Sequence, residues 1–294
     1  MFTVTLLSSP SNPVVGPAVV DSLRNAWGGG DALWLAPDVA AEFQVETVPA
    51  NRWDVWSDLQ GMGVDLVVQP SDGRRKQMLL ADMDSTMIQQ ECIDELAAEA
   101  GIGDHVAQIT ARAMNGELDF EDALRERVGL LKGLDSAVIE TVLTNRITLM
   151  PGGKALLATM KANGAYAALV SGGFTAFTGM VAETLGFDEH RANTLIVADG
   201  KLTGEVGQPI LGRDAKVAAL NEITARLGLS AGQVMAVGDG ANDLGMLGLA
   251  GAGVALHAKP SVAEKCDVRI NHADLTALLY IQGYNLEQFV SAGS

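Results

Sequence analysis

The sequence predicts an α/β protein in which a doubly wound parallel sheet carries a helical insertion and follows a small α+β module. Three observations lead there. From Gln77 onward, strand-like apolar runs alternate with helical segments, the pattern of a parallel sheet covered by helices on both faces. Between the first and second of those runs, residues 90–150 place their apolar side chains at helical spacing. The first 72 residues follow another order, β-α-β-β-α-β, the split βαβ pattern of ferredoxin-like modules.

In the N-terminal module "FTVTLL" is a strand, "PAVVDSLRNAW" a helix, "DALWLA" and "FQVETV" short strands, "RWDVWSDLQGM" a second helix and "VDLVVQP" the closing strand. The turn formers and the basic trio Arg74, Arg75 and Lys76 in "PSDGRRKQ" read as a solvated linker. The module is therefore expected over 1–72 and a second domain over 77–294. There, "QMLLAD", "AYAALVSGG", "NTLIVADG", "QVMAVGDG" and "AGVAL" are expected as buried strands, most followed by helices such as "TAFTGMVAETLG" and "KVAALNEITARLG". The insertion reads as a helical cap, with one stripe at Ile93, Leu96, Ala97 and Ala100 and another at Leu124, Val128 and Leu131. "IVADGKLTGEV" sets Asp-Gly between strand-like runs and predicts a β-hairpin.

Composition narrows the function. The 294 residues suffice for one large or two ordinary domains. With 36 acidic against 20 basic residues the formal charge is −16, a field that repels nucleic acid and anionic membrane surfaces. The same field opposes an anionic substrate, so a phosphate-handling site here needs a metal and local cations. Cys92 and Cys266 form no metal or disulfide pattern and read as buried thiols. His105, His190, His257 and His272 show no ligand spacing. The N-terminus lacks a basic leader, and no run approaches the roughly 18 apolar residues of a membrane span. A cytoplasmic, soluble protein is expected, its mean hydropathy of +0.20 reflecting a large core.

Four elements fall at strand ends: "DMDST" (82–86), "SGGF" (171–174), Lys216 opening a helix, and "GDGAND" (238–243). A calcium loop is excluded because its sixth position is Met87 and its twelfth Ile93. A dinucleotide loop is excluded because the third glycine position of "GDGAND" holds Asp243. A serine-hydrolase elbow is excluded because Leu169 stands where it needs glycine. Alone, "SGG" is a turn and Lys216 a surface lysine.

Together and in this order, the four elements resemble the haloacid-dehalogenase-type phosphotransferase superfamily, over about residues 77–290. Within it, "ADMDSTMIQQECIDELA", "ITARAMNGELDFEDALRERVGLLKGL", "LVSGGFT" and "VGDGANDLGML" are similar to the phosphoserine phosphatase family. The resemblance implies a Rossmann-like core, a helical cap and an ACT-like N-terminal module. It implies hydrolysis of O-phospho-L-serine to L-serine and phosphate through an aspartyl phosphate, the last step of serine biosynthesis, with Mg2+ as cofactor. It implies Asp82 as nucleophile and metal ligand, Asp84 as proton carrier giving its carbonyl to the metal, and Asp239 as the further metal ligand. Ser171, the Gly172 and Gly173 amides, Lys216 and Asn242 are implied to hold the phosphoryl group, with Asp243 buttressing the metal shell. Glu91 and Arg127 are implied to hold the ammonium and carboxylate of the substrate, with Met114 and Phe120 lining the closed cap. The partner is the small-molecule substrate, with no nucleic acid and no membrane, and a homodimer is allowed. Two rivals stay open: another small phosphomonoester as substrate, and a non-catalytic amino-acid sensor on the same scaffold.

The chemistry has its own reasons. Phosphoryl transfer needs an in-line nucleophile, neutralised phosphoryl oxygens and a proton for the leaving oxygen. A strand-end carboxylate supplies the first. Residues two apart on a strand point to one face, so Asp82 and Asp84 are expected to reach the same substrate with different tasks.

Overall fold

In the computed structural model, which describes residues 1–290, the chain builds β1 (Phe2–Leu7), α1 (Pro17–Ala26), β2 (Leu33–Ala36), β3 (Ala40–Val45), α2 (Arg52–Gln60) and β4 (Asp65–Pro70). These strands form one antiparallel sheet in the order β2-β3-β1-β4. Val4, Leu6, Phe43 and Leu66 face a core shared with Val20 and Leu23 of α1 and Leu59 of α2. The alternate residues point the other way. Among them Leu7 and Val67 join the large core of the second domain. Burial on both faces explains why "FTVTLL" is not cleanly amphipathic.

The second domain continues with β5 (Met78–Ala81), α3 (Cys92–Glu99), α4 (Gly103–Met114), α5 (Phe120–Leu130), α6 (Ala137–Asn145), α7 (Gly153–Ala162), β6 (Tyr166–Phe174), α8 (Thr175–Leu185) and β7 (Glu189–Asn193). Then come β8 (Leu195–Ala198), β9 (Lys201–Val206), α9 (Arg213–Leu227), β10 (Val234–Gly238), α10 (Leu244–Leu249), β11 (Ala252–Leu256), α11 (Pro260–Ala263), β12 (Val268–Ile270) and α12 (Ala277–Tyr280). A parallel sheet runs β12-β11-β10-β5-β6-β7. Its period-2 alternation feeds two cores: Met78, Leu80, Val170 and Val234 pack with Leu220 and Ile223 of α9, while Leu79, Leu169, Met235 and Val237 face Leu156 and Phe177 of α7 and α8. Residues 291–294, the end of the expected second domain, lie outside the described residues.

Two readings of the sequence need correction. "NTLIVADG" is not a strand of the parallel sheet: β8 pairs only with β9 in a separate antiparallel hairpin, largely exposed. The edge strand is instead β7, "EHRAN", whose polar composition suits a sheet edge and hides it from a search for apolar runs. The basic trio is not a solvated linker either. Arg74 makes a two-pronged pair with Glu42 at 2.6 and 3.1 Å, Arg75 stacks 4.2 Å over the Tyr284 ring, and Lys76 Nζ donates to Gly232 O at 2.9 Å. These contacts, with Asp65 accepting the Asn271, His272 and Ala273 amides, fasten the N-terminal sheet to the second domain. Among the described residues no helix is long and apolar enough to cross a membrane.

Candidate active site

From β5 the chain goes to β6 on one side and later to β10 on the other, which opens a crevice over the carboxyl ends of these strands. β5 ends at Ala81, yet the Asp82 amide still donates to Val237 O at 3.0 Å, extending the ladder by one residue. Asp84 lies beyond the strand, where the Thr86, Met87 and Ile88 amides all close on the Met83 carbonyl. The strand alternation expected to bring Asp82 and Asp84 to one face thus ends too early. The turn brings both to the same cavity instead.

Lys216, fully buried near the start of α9, sits at the centre of the charges. Its Nζ lies 2.7 Å from Asp82 Oδ1 and 2.6 Å from Asp243 Oδ1. Burial alone would lower its pKa, but the two carboxylates outweigh burial and hold the ammonium charged. The other oxygen of Asp243 accepts the Asp239 and Gly240 amides at 3.2 and 3.0 Å. Burial, then the charge of Asp243, pushes the Asp82 carboxyl well above its ordinary range, with Lys216 pulling the other way.

Asp82, Asp239 and Asp243 bring carboxylate oxygens within 4.8 Å of one another. Asp243 already accepts three hydrogen bonds, whereas Asp82 Oδ1 and Asp239 Oδ2 accept none, so Asp82 and Asp239 are the less engaged carboxylates for a cation. Asp239 Oδ2 is buried without a hydrogen-bond partner, its nearest cation being Lys259 Nζ at 4.0 Å. Burial first, and Asp243 second, raise the Asp239 pKa to about 7. An orphaned buried carboxylate oxygen in an all-oxygen donor set fits a hard divalent cation. The Asp84 side chain is outside this cluster: Oδ1 accepts the Cys92 amide at 2.8 Å and Oδ2 the Ser171 hydroxyl at 3.2 Å. Burial nevertheless raises its pKa, against those hydrogen bonds.

The cap narrows the crevice to a pocket of about 30 Å³ that Asp82, Asp84, Ser171, Gly172 and Asn242 line from below and Glu91, Met114, Phe120 and Arg127 from above. A Cβ on Gly172 would meet the Phe120 ring at 2.5 Å, and one on Gly173 would meet Asp84 Oδ2 at 2.4 Å. The "SGG" run is therefore a close approach of backbone to both cap and acid. The Gly173 amide, expected to face an anion, donates instead to Ser171 Oγ at 2.8 Å. Asn242 Oδ1 is buried and unpartnered.

Glu91 stands at the N-cap position of α3 but makes no capping bond; it accepts the Ser85 hydroxyl at 2.7 Å. Its pKa is raised well above the ordinary value by burial, then by Asp84 and Asp239. Arg127 is only 2 % exposed. Its Nε donates to Ala123 O at 3.1 Å and its Nη1 to Thr110 Oγ1 at 2.9 Å. Burial lowers its pKa, with Glu91 and Asp94 opposing. Sequence reasoning singled out neither Thr110, Asp94, Ser85 nor Lys259. Ser85 adopts φ +53°, rare for a residue with a Cβ; it lies within "DMDST", but its spacing there does not announce its bond to Glu91.

Residues 79–248 match the family model of haloacid dehalogenase-like hydrolases. A phosphoserine phosphatase of Streptomyces coelicolor is 40% identical, the match covering 98% of this chain and 72% of that protein. A haloacid dehalogenase family hydrolase of Salmonella enterica serovar Typhi has a similar solved structure, with TM-score 0.82 and 31% identity over 95% of this chain and 98% of that one. A phospho-aspartyl intermediate analogue of a phosphoserine phosphatase superposes with TM-score 0.68 at 43% identity, covering 70% of this chain and 98% of that one.

Proposed function

The chain belongs to the haloacid dehalogenase-like hydrolases, and from that premise we infer that it is a phosphatase hydrolysing O-phospho-L-serine to L-serine and phosphate. One observation carries the substrate: a single pocket brings together a strand-end carboxylate, Asp82, on its floor and a carboxylate and a guanidinium, Glu91 and Arg127, in its roof. A phosphate at one end and a zwitterion at the other match that division of charge.

In this reading Asp82 attacks phosphorus, forming an aspartyl phosphate while the P–O bond to serine breaks. The departing oxygen takes a proton from Asp84, which the Cys92 amide and Ser171 hold in place. Water then gives a proton back to Asp84 as it attacks the same phosphorus, freeing phosphate and regenerating Asp82. Burial raises the Asp84 pKa, which favours the protonated form this step needs. Lys216 donates to Asp243 and lies 2.7 Å from Asp82 as an ion pair, which leaves it donor capacity for a phosphoryl oxygen. Ser171, Gly172 and Asn242 complete that end, and Glu91 and Arg127 take the ammonium and carboxylate. Asp82, Asp239 and the Asp84 carbonyl would hold Mg2+, which when bound neutralises phosphoryl oxygens. The same reading places the reaction as the last step of serine biosynthesis, in the cytoplasm.

Phosphate release from a panel of phosphomonoesters, with Mg2+ and with chelator, tests the proposal. Phosphoserine should be the preferred substrate and chelator should abolish turnover. Asp82→Asn should be inactive, and trapped phosphate or beryllium fluoride should map to Asp82. Label on Ser171, or equal turnover of phosphomonoesters lacking a carboxylate, would overturn it.

A further inference from the structure

The residue proposed to read the substrate carboxylate does not hold itself in place. Arg127 is buried on α5 and makes no ion pair within 4.0 Å among the described residues; its protein hydrogen bonds are those to Ala123 O and Thr110 Oγ1. Thr110, on α4 and 3 % exposed, is itself 2.6 Å from Asp94 Oδ1 on α3 and 3.1 Å from Val106 O. A hydroxyl has one proton to give. The shorter contact to a carboxylate is the stronger, so the proton points at Asp94 and a lone pair is left for Arg127. Neither Thr110 nor Asp94 lines the cavity.

We propose that Thr110, oriented by Asp94, is a specificity-positioning residue: it fixes the plane of the Arg127 guanidinium so that its remaining N–H groups meet the carboxylate of an α-amino-acid phosphate. The proposal rests on the reading of Arg127 given above and adds the device that makes it selective. A free arginine side chain samples many rotamers, whereas a fork anchored at Nε and Nη1 has its plane set in advance. Nη2 and the second Nη1 hydrogen have no protein acceptor among the described residues, which leaves the bidentate edge for a ligand. The three residues come from three different cap helices, so the same relay sets the substrate contact and the packing of the cap.

The test uses two substrates with similar leaving oxygens, O-phospho-L-serine and O-phosphoethanolamine, of which only the first has a carboxylate. Thr110→Val keeps the shape and removes the hydroxyl. It should lower kcat/KM for phosphoserine roughly tenfold to a hundredfold more than for phosphoethanolamine, the scale of a hydrogen bond to a charged group. Thr110→Ser should restore most of the difference, and Asp94→Asn should give a smaller loss of the same selectivity. In an Arg127→Ala background, Thr110→Val should add nothing to the discrimination, because the two act through one contact. A folding defect lowers both substrates alike and does not imitate this pattern. Parallel losses on both substrates, failure of Thr110→Ser to rescue, or a full additional loss in the Arg127→Ala background would overturn the proposal. A parent enzyme that turns over both substrates equally would overturn the reading of Arg127 itself, a result distinct from a selective parent whose selectivity survives Thr110→Val.

Discussion

Replacing Asp243 by Asn removes one charge from the most buried ion cluster of the protein and almost nothing from its shape. Asp243 has one oxygen 2.6 Å from Lys216 Nζ and the other on the Asp239 and Gly240 amides. An Asn can turn its single oxygen toward Lys216 or toward those amides, never both, and its NH2 then faces a donor on the other side. Lys216 is 0 % exposed, so water cannot replace the lost partner. Breaking a buried pair by neutralising one member costs about 3–5 kcal/mol, an upper bound here because Lys216 keeps Asp82 at 2.7 Å. That is a large share of the ~5–15 kcal/mol that holds a typical domain together, and at about 2–4 °C per kcal/mol it lowers Tm by roughly 6–20 °C. Urea unfolding of the metal-free protein at pH 7.5 measures it. The pairing logic makes a second demand: Lys216→Met combined with Asp243→Asn should cost less than the two single losses summed, since the double variant removes both members of that pair and leaves only Asp82 without its cation. A stability loss below ~1 kcal/mol in Asp243→Asn, or strict additivity in the double variant, would refute the reasoning.

Other outcomes follow from the same geometry. The pKa of Asp239, raised from 3.8 to about 7, means that the metal-free fold keeps its full contribution below the ordinary value and loses it as pH rises through about 7. Mg2+ must displace that proton, so its affinity should fall with decreasing pH below about 7, and the Tm increment on adding Mg2+ should be larger at pH 8 than at pH 6; equal increments would contradict the assignment. Gly172→Ala, whose methyl would lie 2.5 Å from the Phe120 ring, should lower kcat/KM by about tenfold or more through a displaced cap, and Phe120→Leu in the same chain should recover part of the loss. Asp65→Asn, which turns an amide group toward the Asn271, His272 and Ala273 backbone donors, should destabilise the protein by about 1–3 kcal/mol for each donor left unmet; unchanged unfolding would show that this contact does not fasten the N-terminal sheet.

Much of the scaffold was legible because the hydrophobic period carries it. The β-α-β-β-α-β order of the first module emerged as read; β5, β6 and β10 lie where apolar runs end in Asp, Ser-Gly-Gly or Gly-Asp, and β11 is the apolar run "AGVAL". β7 escaped because an edge strand such as "EHRAN" is free to be polar. "NTLIVADG" misled for the converse reason: its apolar residues serve a hairpin outside the sheet, where Val197 is 46 % exposed. Of the expected site residues, Asp82, Ser171 and Asp239 lie at strand ends as read, and Lys216 lies in the first turn of α9. The partners of Arg127 were not legible, because Asp94, Thr110 and Arg127 are brought together by packing of three helices, and no sequence spacing encodes that approach.

The charge of the whole chain and the charge of the site pose the same problem at different scales. A protein of net charge −16 that accepts a phosphate must reverse its field locally, yet the cavity and its immediate shell contain Asp82, Asp84, Glu91, Asp239 and Asp243 against Lys216, Arg127 and the more distant Lys259. Lys216 is already neutralised by its two carboxylates, so it orients more than it attracts. The raised pKa values of Asp82, Asp84, Glu91 and Asp239 express this excess: burial comes first in each, and neighbouring carboxylates add to it for Asp82, Glu91 and Asp239. Such a cluster relieves its repulsion either by holding protons or by holding a cation. With protons it is stable and unreactive, because a protonated Asp82 is no nucleophile. A bound cation would favour ionised Asp82 and Asp239, and Asp84, whose side chain stands outside the carboxylate trio, would be the one left to carry the proton in the proposed mechanism. The division of labour proposed for Asp82 and Asp84 would therefore come from which of them shares its oxygens with the carboxylate cluster, and the turn after β5 sets that by directing Asp84 toward Cys92 and Ser171.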